Sequence, residues 1–441
     1  MSDKPFATIV GSGLAGTLLA CLLGRDGRRV DLYEKRPDPR VHGQEAGRSI
    51  NLALSVRGLH ALEQVGLADR VVQSSILMRG RMIHSRDGSL AFQPYGKNDR
   101  EALHSVSRAG LNLQLVESAA ELPGVRMHFA HRCVGWDAAT GDLEFLARGS
   151  DQPLRVSSAF TIGADGAYSA IRAQMQKLDR FDYSQDYLSH GYKELTIPPG
   201  PGGAFQMEPH ALHIWPRGHF MMIALPNRDG SFTCTLFWPF EGPNSFAALR
   251  TENEVEAYFR DQFPDAVPLI PTLGRDFLAN PIGSLVTIRC RPWHVGDRAV
   301  LVGDACHAVV PFLGQGMNAA FEDCMVLSEC LRRHGDRARA LNEYERMRKE
   351  HTDALADMCV DNFIEMRDRV GSWLFRLRKR VQIALNAIFP RWYLPLYTMI
   401  EFTRIPYAEA RRRARRQDWI VRCITTGVAV VALLLLWRFK R

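Results

Sequence analysis

Gly11-Ser12-Gly13-Leu14-Ala15-Gly16 decides the fold of the N-terminal part of this 441-residue chain. An apolar run at residues 6–10 predicts a buried strand before these glycines, and the pattern after them predicts a helix to about residue 25. A second apolar run, residues 29–33, ends at Glu34. Glycines permit a tight turn and the close approach of a pyrophosphate, and the acid accepts a ribose hydroxyl. The stretch therefore predicts a dinucleotide site, and Glu34 favours FAD or NAD over a 2′-phosphate cofactor, although Lys35 and Arg36 weaken that preference.

Two later stretches repeat the arrangement of a strand, an acidic turn and a helix. Apolar residues 159–162 lead into Gly163-Ala164-Asp165-Gly166, and residues 299–302 lead into Gly303-Asp304. The turn after Gly303 continues through residues 310–318 into a helical pattern at 319–331. Free N–H groups and the positive end of a helix dipole favour an anionic ligand there, and Asp304 is suited to accept a ribityl hydroxyl of a flavin. The alternative is an ordinary strand-loop-helix connection with glycines for turn geometry.

Composition limits the class of protein. The chain is 46% hydrophobic and 24% charged, which is ordinary for two or three globular domains. Nine cysteines without paired spacing indicate neither a metal site nor a disulfide framework, and they fit a reducing compartment. No secretory signal opens the chain. The net charge is +8, but residues 376–441 carry 15 Lys/Arg and 3 Asp/Glu, so the first 375 residues are at −4. This argues against a nucleic-acid-binding body and for an anionic surface near the C-terminus.

The sequence pattern in the middle of the chain is typical of a β-sheet. Residues 211–215, 220–225 and 231–240 are rich in β-branched and aromatic residues, with a hairpin turn at residues 227–230. Residues 79–84 and 91–95 predict a small hairpin across which Arg81 and Tyr95 face one another. We predict a mixed α/β fold: a Rossmann-like FAD-binding domain at residues 1–178 and 289–340, with the hairpin at 79–96 facing the substrate site, an inserted antiparallel-sheet substrate domain at 179–288, and a helical region at 341–417.

The C-terminal residues 418–441 predict a membrane anchor. Residues 423–437 carry no charge, and residues 419–437 begin and end with tryptophan after a cluster of arginines. Tryptophans favour membrane interfaces, and Arg422 could reach the interface with its long side chain. The sequence thus predicts a protein on the cytoplasmic face of a membrane, held by its tail. A buried core helix in a soluble cytoplasmic protein is the alternative.

With the three glycine-containing motifs in this order, the chain resembles the single-component FAD-dependent aromatic hydroxylases. Further strings are similar to the kynurenine 3-monooxygenase family within that class: Arg81-Met82-Ile83-His84, residues 310–318, residues 361–367 and Pro395-Leu396-Tyr397-Thr398-Met399. The similarity extends over nearly the whole chain, and a C-terminal anchor is also found in members of that family.

The resemblance implies roles for individual residues. FAD-contacting positions of the family fall on Ala15, Tyr33, Glu34, Lys35, Arg36, Ala53, Arg108, Asp304, Met317 and Asn318. Our predicted cofactor set adds Gly11, Gly13, Gly16, Asp165 and Gly316, and the loop on the oxygen side contains Pro311, Phe312 and Gln315. Substrate-contacting positions fall on Arg81, Tyr95, Asn362 and Tyr397. Leu313 occupies a position that is often aromatic or histidine in the family, so a polar role is absent there.

The resemblance also implies the reaction. The chain would hydroxylate L-kynurenine to 3-hydroxy-L-kynurenine with FAD, NADPH and dioxygen through a flavin hydroperoxide, in tryptophan degradation towards quinolinate and NAD. An arginine suits the substrate carboxylate, and Tyr and Asn add neutral hydrogen bonds. Because no second glycine fingerprint exists for NADPH, transient docking is expected. Without the resemblance, Arg81 could be a surface ion-pair partner, and Tyr95, Asn362 and Tyr397 could be structural.

Two other hypotheses remain open at this point. The same enzyme class could act on a phenolic acid or a membrane lipid, although a lipid would not explain a carboxylate-binding Arg81. A flavin-binding membrane protein without turnover, a redox sensor or scaffold, is the rival from another class. The complete loop at residues 311–318 argues against that rival. The oligomeric state does not follow from the sequence.

Overall fold

A computed structural model describes residues 4–42, 51–96, 99–365, 381–382, 384–390 and 392–439. The predicted helical region at residues 341–417 lies partly outside the described residues, as does the end of the string at 361–367.

Thirteen α-helices and nineteen strands have both ends within the described residues. The helices are α1 Leu14–Arg25, α2 Pro39–His42, α3 Val56–Gln64, α4 Ala68–Gln73, α5 Arg108–Ala120, α6 Ala170–Met175, α7 Glu252–Gln262, α8 Leu273–Ala279, α9 Asp304–His307, α10 Gly316–Arg333, α11 Arg337–Ile364, α12 Leu396–Glu401 and α13 Tyr407–Phe439. The strands are β1 Ala7–Val10, β2 Val30–Tyr33, β3 Asn51–Leu54, β4 Ile76–Met78, β5 Gly80–His84, β6 Leu90–Pro94, β7 Leu103–Ser107, β8 Val125–His128, β9 His131–Trp136, β10 Asp142–Ala147, β11 Pro153–Ser157, β12 Thr161–Gly163, β13 Asp182–Ile197, β14 Ala211–Pro216, β15 Met221–Pro226, β16 Phe232–Pro239, β17 Gly283–Arg291, β18 His294–Val295 and β19 Ala299–Leu301.

A six-stranded sheet collects the three strand-to-helix motifs. Its order is β18-β19-β12-β1-β2-β8, and all neighbours are parallel except β18 and β19. The strands before the three motifs, β19, β12 and β1, are therefore adjacent. Because parallel strands end at the same edge, the three turns meet at the carboxyl ends of neighbouring strands, where open α/β sheets bind ligands.

A seven-stranded sheet carries the predicted hairpin. Its order is β17-β13-β16-β15-β14-β5-β6. The strands of the inserted region pair antiparallel, as predicted, but β5 joins β14 in parallel, with Arg81 opposite Leu212. The hairpin is thus continuous with the inserted sheet, and this sheet is mixed rather than purely antiparallel. Small sheets β3-β7-β4 and β11-β10-β9 complete the mixed α/β fold that the sequence predicted. The domain boundaries themselves stay a prediction.

The C-terminal helices lie against the body of the protein and then leave it. Tyr407 at the start of α13 is fully buried, and Gln417 Nε2 donates to the Trp392 carbonyl over 2.6 Å. Beyond this point Trp419, Ile424 and Trp437 are exposed, which does not fit a core helix. Within the described part of the chain no helix is both long and apolar enough to cross a membrane, and the tail anchor stays a prediction.

Candidate functional site

The first glycine loop packs closely on the turn after β12 and leaves one side open. Gly11 has a φ of +104°, and a Cβ there would lie 2.5 Å from the Ala164 carbonyl oxygen. A Cβ on Gly16 would lie 1.9 Å from the Gly11 carbonyl oxygen, so both positions need glycine. A Cβ on Gly13 would meet nothing within 4 Å. The open space at Gly13, beside the start of α1, fits a dinucleotide pyrophosphate.

Glu34 lies beside this loop at the end of β2. Its Oε2 accepts a hydrogen bond from Ser12 N over 2.8 Å, and its Oε1 accepts from Arg36 Nε over 2.7 Å. Burial raises the pKa of Glu34, but the hydrogen bonds and charge of Arg36 outweigh burial and hold this pKa below its usual value. Glu34 is therefore an ionised acceptor next to the glycine loop, as a ribose-binding acid requires.

Other predicted cofactor residues differ in what they can offer. The Tyr33 ring is buried between His128 and Phe145, with ring centroids 4.4 and 4.1 Å away, and its carbonyl accepts a hydrogen bond from Gly11 N over 2.7 Å. Lys35, Arg36 and Arg108 are exposed, and the Ser107 hydroxyl caps α5 by accepting from Gly110 N over 3.2 Å. Ala15 and Ala53 are half-buried and lie close to glycines of the third turn. A Cβ on Gly303 would be 3.5 Å from the Ala15 Cβ, and one on Gly314 would be 3.1 Å from the Ala53 Cβ.

Asp165, in the second turn, divides its carboxylate between two environments. Its Oδ2 accepts from Ala170 N over 2.6 Å and so caps the start of α6. Its Oδ1 is buried and has no hydrogen-bond partner within the described ranges, and burial raises the pKa of this carboxyl. A structural role as a helix cap is therefore established by geometry, and one oxygen stays available.

The third turn presents an acid at the surface and fixes the start of α10. Gly303 has a φ of +63°, and Asp304 after it is exposed. The Asn318 side chain is internal: its Oδ1 accepts from Ser55 N over 3.0 Å, and its Nδ2 donates to the Ala53 carbonyl over 2.9 Å. Asn318 thus ties α10 to the turn after β3, while Gly316 and Met317 at the helix start are half-buried. These backbone N–H groups and Asp304 suit the flavin end of FAD.

The predicted substrate residues Arg81, Tyr95 and Tyr397 come together. The guanidinium carbon of Arg81 lies 4.6 Å from the Tyr397 ring centroid and 5.7 Å from that of Tyr95. The two tyrosine rings stack with centroids 5.5 Å apart. All three side chains lie deep in the protein yet keep partial solvent accessibility, as residues that line an internal pocket do.

The fourth predicted substrate residue, Asn362, contacts the oxygen-side loop that contains Pro311, Phe312 and Gln315. Its Nδ2 donates to the Phe312 carbonyl over 2.7 Å, and the Phe312 ring stacks on Phe363 at a centroid distance of 4.3 Å. Of the remaining loop residues, Pro311 is exposed and Gln315 is fully buried. Asn362 therefore links α11 to the oxygen-side loop.

Glu401 was missed by the sequence analysis. It lies one turn after Tyr397 on α12, and Gln315 Nε2 donates to its Oε2 over 2.6 Å. Burial raises its pKa to about 8, against the lowering effects of Arg81, Arg57 and the hydrogen bond from Gln315. The spacing of four residues from Tyr397 was a signal that could have found it.

A cavity of about 480 Å³ lies elsewhere, between the β3-β7-β4 sheet and the seven-stranded sheet, and is lined by polar residues such as Asn51, Asn227 and Asn280. It shares no residue with the predicted cofactor or substrate sets. We therefore do not assign it to the site described above.

Comparison with known proteins gives the family. The family model described as "FAD binding domain" matches residues 6–358. The chain is 48% identical over 425 residues to a protein of Myxococcus xanthus named kynurenine 3-monooxygenase, covering 96% of this chain and 92% of that protein. It is 50% identical over 428 residues to a protein of Salinispora tropica with the same name, covering 97% and 94%.

Solved structures share the fold at low sequence identity. The tetrameric form of 2-methyl-3-hydroxypyridine-5-carboxylic acid oxygenase matches with a TM-score of 0.67 and 21% identity, over 84% of this chain and 95% of that one. PqsL of Pseudomonas aeruginosa, in complex with 2-aminobenzoylacetate, matches with a TM-score of 0.66 and 20% identity, over 83% and 98%. The family model, the curated relatives and the fold agree: this chain belongs to the kynurenine 3-monooxygenase family of FAD-dependent monooxygenases.

Proposed function

We propose that the chain converts L-kynurenine, dioxygen, NADPH and a proton into 3-hydroxy-L-kynurenine, NADP⁺ and water. The observation that carries this proposal is the environment of Arg81. Among the described residues this guanidinium forms no ion pair with a carboxylate, and its Nε has no hydrogen-bond partner. An arginine deep in a protein needs an anion, and the amino-acid carboxylate of kynurenine is one.

Arg81, Tyr95 and Tyr397 together suit such a carboxylate. The guanidinium offers a planar pair of donors, and the Tyr95 hydroxyl is buried without a hydrogen-bond partner among the residues described. Because the three groups lie deep in the protein, a charge interaction there is stronger than in water. These residues bind and orient the amino-acid end of the substrate, which positions the aromatic ring for hydroxylation.

The residues around the three turns would hold FAD. Gly13 leaves space for the pyrophosphate, Glu34 accepts a ribose hydroxyl, and Asp304 with the start of α10 faces the flavin end. Bound FAD supplies the electron transfer from NADPH and the activation of dioxygen. The buried Phe312 and Gln315 help to exclude water beside it. Because the sequence has one dinucleotide fingerprint, we propose that NADPH docks transiently.

The test is a purified protein assayed for FAD content, for NADPH oxidation and for product mass. We expect a yellow protein that oxidises NADPH faster when L-kynurenine is present and forms a product heavier by one oxygen atom. A panel of phenolic acids should give no hydroxylated product. The proposal would be contradicted if the rate of NADPH oxidation were the same with and without kynurenine and no hydroxylated product formed.

A further inference from the structure

Glu401 lies between the predicted substrate residues Arg81, Tyr95 and Tyr397 and the oxygen-side loop, which contains Gln315. It shares a face of α12 with Tyr397 and is 0% exposed. Its Oε2 accepts from Gln315 Nε2 over 2.6 Å, and the Tyr407 hydroxyl donates to Gln315 Oε1 over 2.8 Å. Its Oε1 is buried and has no hydrogen-bond partner in the part of the chain that the structure describes. A buried carboxyl oxygen without a partner is costly, so this position calls for an explanation beyond packing.

Two arginines influence Glu401, and their situations differ. Arg57 of α3 forms an ion pair with Glu322 over 2.5 Å, so its charge is already compensated. Arg81 of β5 has no such partner among the described residues, and Glu401 interacts with it electrostatically without a direct ion pair. The other titratable groups around Glu401 are neutral near pH 7: Tyr95, Tyr397, Tyr407 and Cys359.

The proton on Glu401 determines how much of the Arg81 charge is available. Burial raises the pKa of Glu401 to about 8, so this carboxyl is mostly neutral at pH 7. A neutral Glu401 leaves Arg81 free to pair with an external carboxylate. An ionised Glu401 attracts the same guanidinium and repels a second carboxylate beside it.

We propose that Glu401 is a positioning residue that controls substrate binding through Arg81: its neutral form admits the substrate carboxylate, and its ionised form competes with that carboxylate. The inference rests on the proposed function, because the ligand is the carboxylate of L-kynurenine. Binding and protonation are then reciprocal, so bound substrate favours the proton on Glu401, and that proton favours substrate. The hydrogen bond from Gln315 fixes the carboxyl group in this position.

The first test is the pH dependence of KM and kcat between pH 6.5 and 9.5. If the ionised form does not bind substrate, a pKa of about 8 gives an increase in KM of about tenfold between pH 7 and pH 9, with kcat little changed. Glu401→Gln cannot ionise and should give a KM that does not rise over this range. Glu409→Gln, which changes an exposed acid on the next helix, should reproduce the wild-type profile.

The substrate also titrates, so an analogue is needed. The α-amino group of kynurenine loses its proton at alkaline pH, whereas 4-(2-aminophenyl)-4-oxobutanoate has the same carboxylate and lacks that group. Its KM or binding constant should show the same rise in wild type and none in Glu401→Gln. An identical rise in both proteins would overturn the inference.

Calorimetry gives a readout that does not depend on turnover. When kynurenine binds to the wild-type FAD-loaded enzyme at pH 8, about half a proton should be taken up, seen as different heats in buffers of different ionisation enthalpy. Glu401→Gln should take up no proton. If that variant fails to fold, the wild type alone tests the inference, because absence of proton uptake by the wild type refutes it. If kynurenine neither binds nor turns over, the proposed function has failed; if it turns over with a pH-independent KM and without proton uptake, only this inference has failed.

Discussion

Replacing Arg81 by lysine tests the substrate site most directly. Lysine keeps the positive charge but loses the planar pair of donors and the stacking of the guanidinium on Tyr397, now at 4.6 Å from the ring centroid. We expect KM for L-kynurenine to rise while FAD content stays at the wild-type level, because none of the three glycine turns contains Arg81. Arg81→Ala should have at least as large an effect.

The magnitude follows from the contacts that are lost. One charged hydrogen bond to the carboxylate contributes about 1.5 to 3 kcal/mol in a site shielded from water. Since about 1.4 kcal/mol corresponds to a tenfold change, we expect KM for Arg81→Lys to rise by about 10- to 140-fold. The lost cation–π contact with Tyr397 acts in the same direction.

The assay is steady-state formation of 3-hydroxykynurenine, with FAD content and thermal unfolding measured on each protein. Arg86→Lys is a matched control on the same hairpin, because Arg86 forms an exposed ion pair with Asp261 over 2.5 Å. Exposed pairs contribute little, so its KM should change less than about twofold. The decarboxylated analogue of kynurenine should bind equally to wild type and Arg81→Ala. An Arg81→Ala enzyme with full FAD content and an unchanged KM for kynurenine would refute the carboxylate role.

Three further predictions concern other parts of the molecule. Gly13→Val should fold but purify without flavin, because a Cβ at this position meets no described protein atom within 4 Å. Gly16→Val should fail to fold, because a Cβ there lies 1.9 Å from a carbonyl oxygen. Absorbance at the flavin band and circular dichroism distinguish the two variants. Tyr397→Phe keeps the ring stack but removes the hydroxyl, so KM for kynurenine should rise about 3- to 10-fold with normal FAD content, and an unchanged KM would exclude the hydroxyl from binding. Burial lowers the pKa of His213 to about 4, so this side chain is neutral in the folded protein at neutral pH. The free energy of unfolding should therefore fall by up to about 3 kcal/mol as pH drops from about 6.5 to 4. Denaturant unfolding of His213→Gln should show a smaller decrease, and an equal decrease would show that His213 is not its cause.

The sequence by itself determined the features that depend on neighbouring residues. The strand, glycine turn and helix at Gly11–Gly16 follow from local apolar runs and from backbone angles that only glycine adopts readily, as the φ of +104° at Gly11 confirms. The cap at Ser107 and the helix stop at Gly66, with a φ of +69°, are local in the same way. The family resemblance then supplied Arg81, Tyr95 and Tyr397, which the structure brings together.

One sequence pattern can fit two environments, and the pattern alone does not decide between them. The apolar residues at 423–437 predicted a membrane anchor, yet the described part of the chain has no helix that meets the length and apolarity of a span. Tyr33 lies at a cofactor position of the family, but its ring packs in the core between His128 and Phe145. Hydrophobic periodicity records that a side chain avoids water and does not specify what it packs against.

Only the tertiary structure decided the contacts between distant parts of the chain. Strand β5 joins the inserted sheet by parallel pairing with β14, which places Arg81 beside Leu212. Glu401 accepts a hydrogen bond from Gln315, 86 residues earlier, and lies within electrostatic reach of Arg81. Local propensity acts over a few residues, whereas such contacts depend on how whole sheets and helices pack. The raised pKa of Glu401 follows from the burial that this packing imposes.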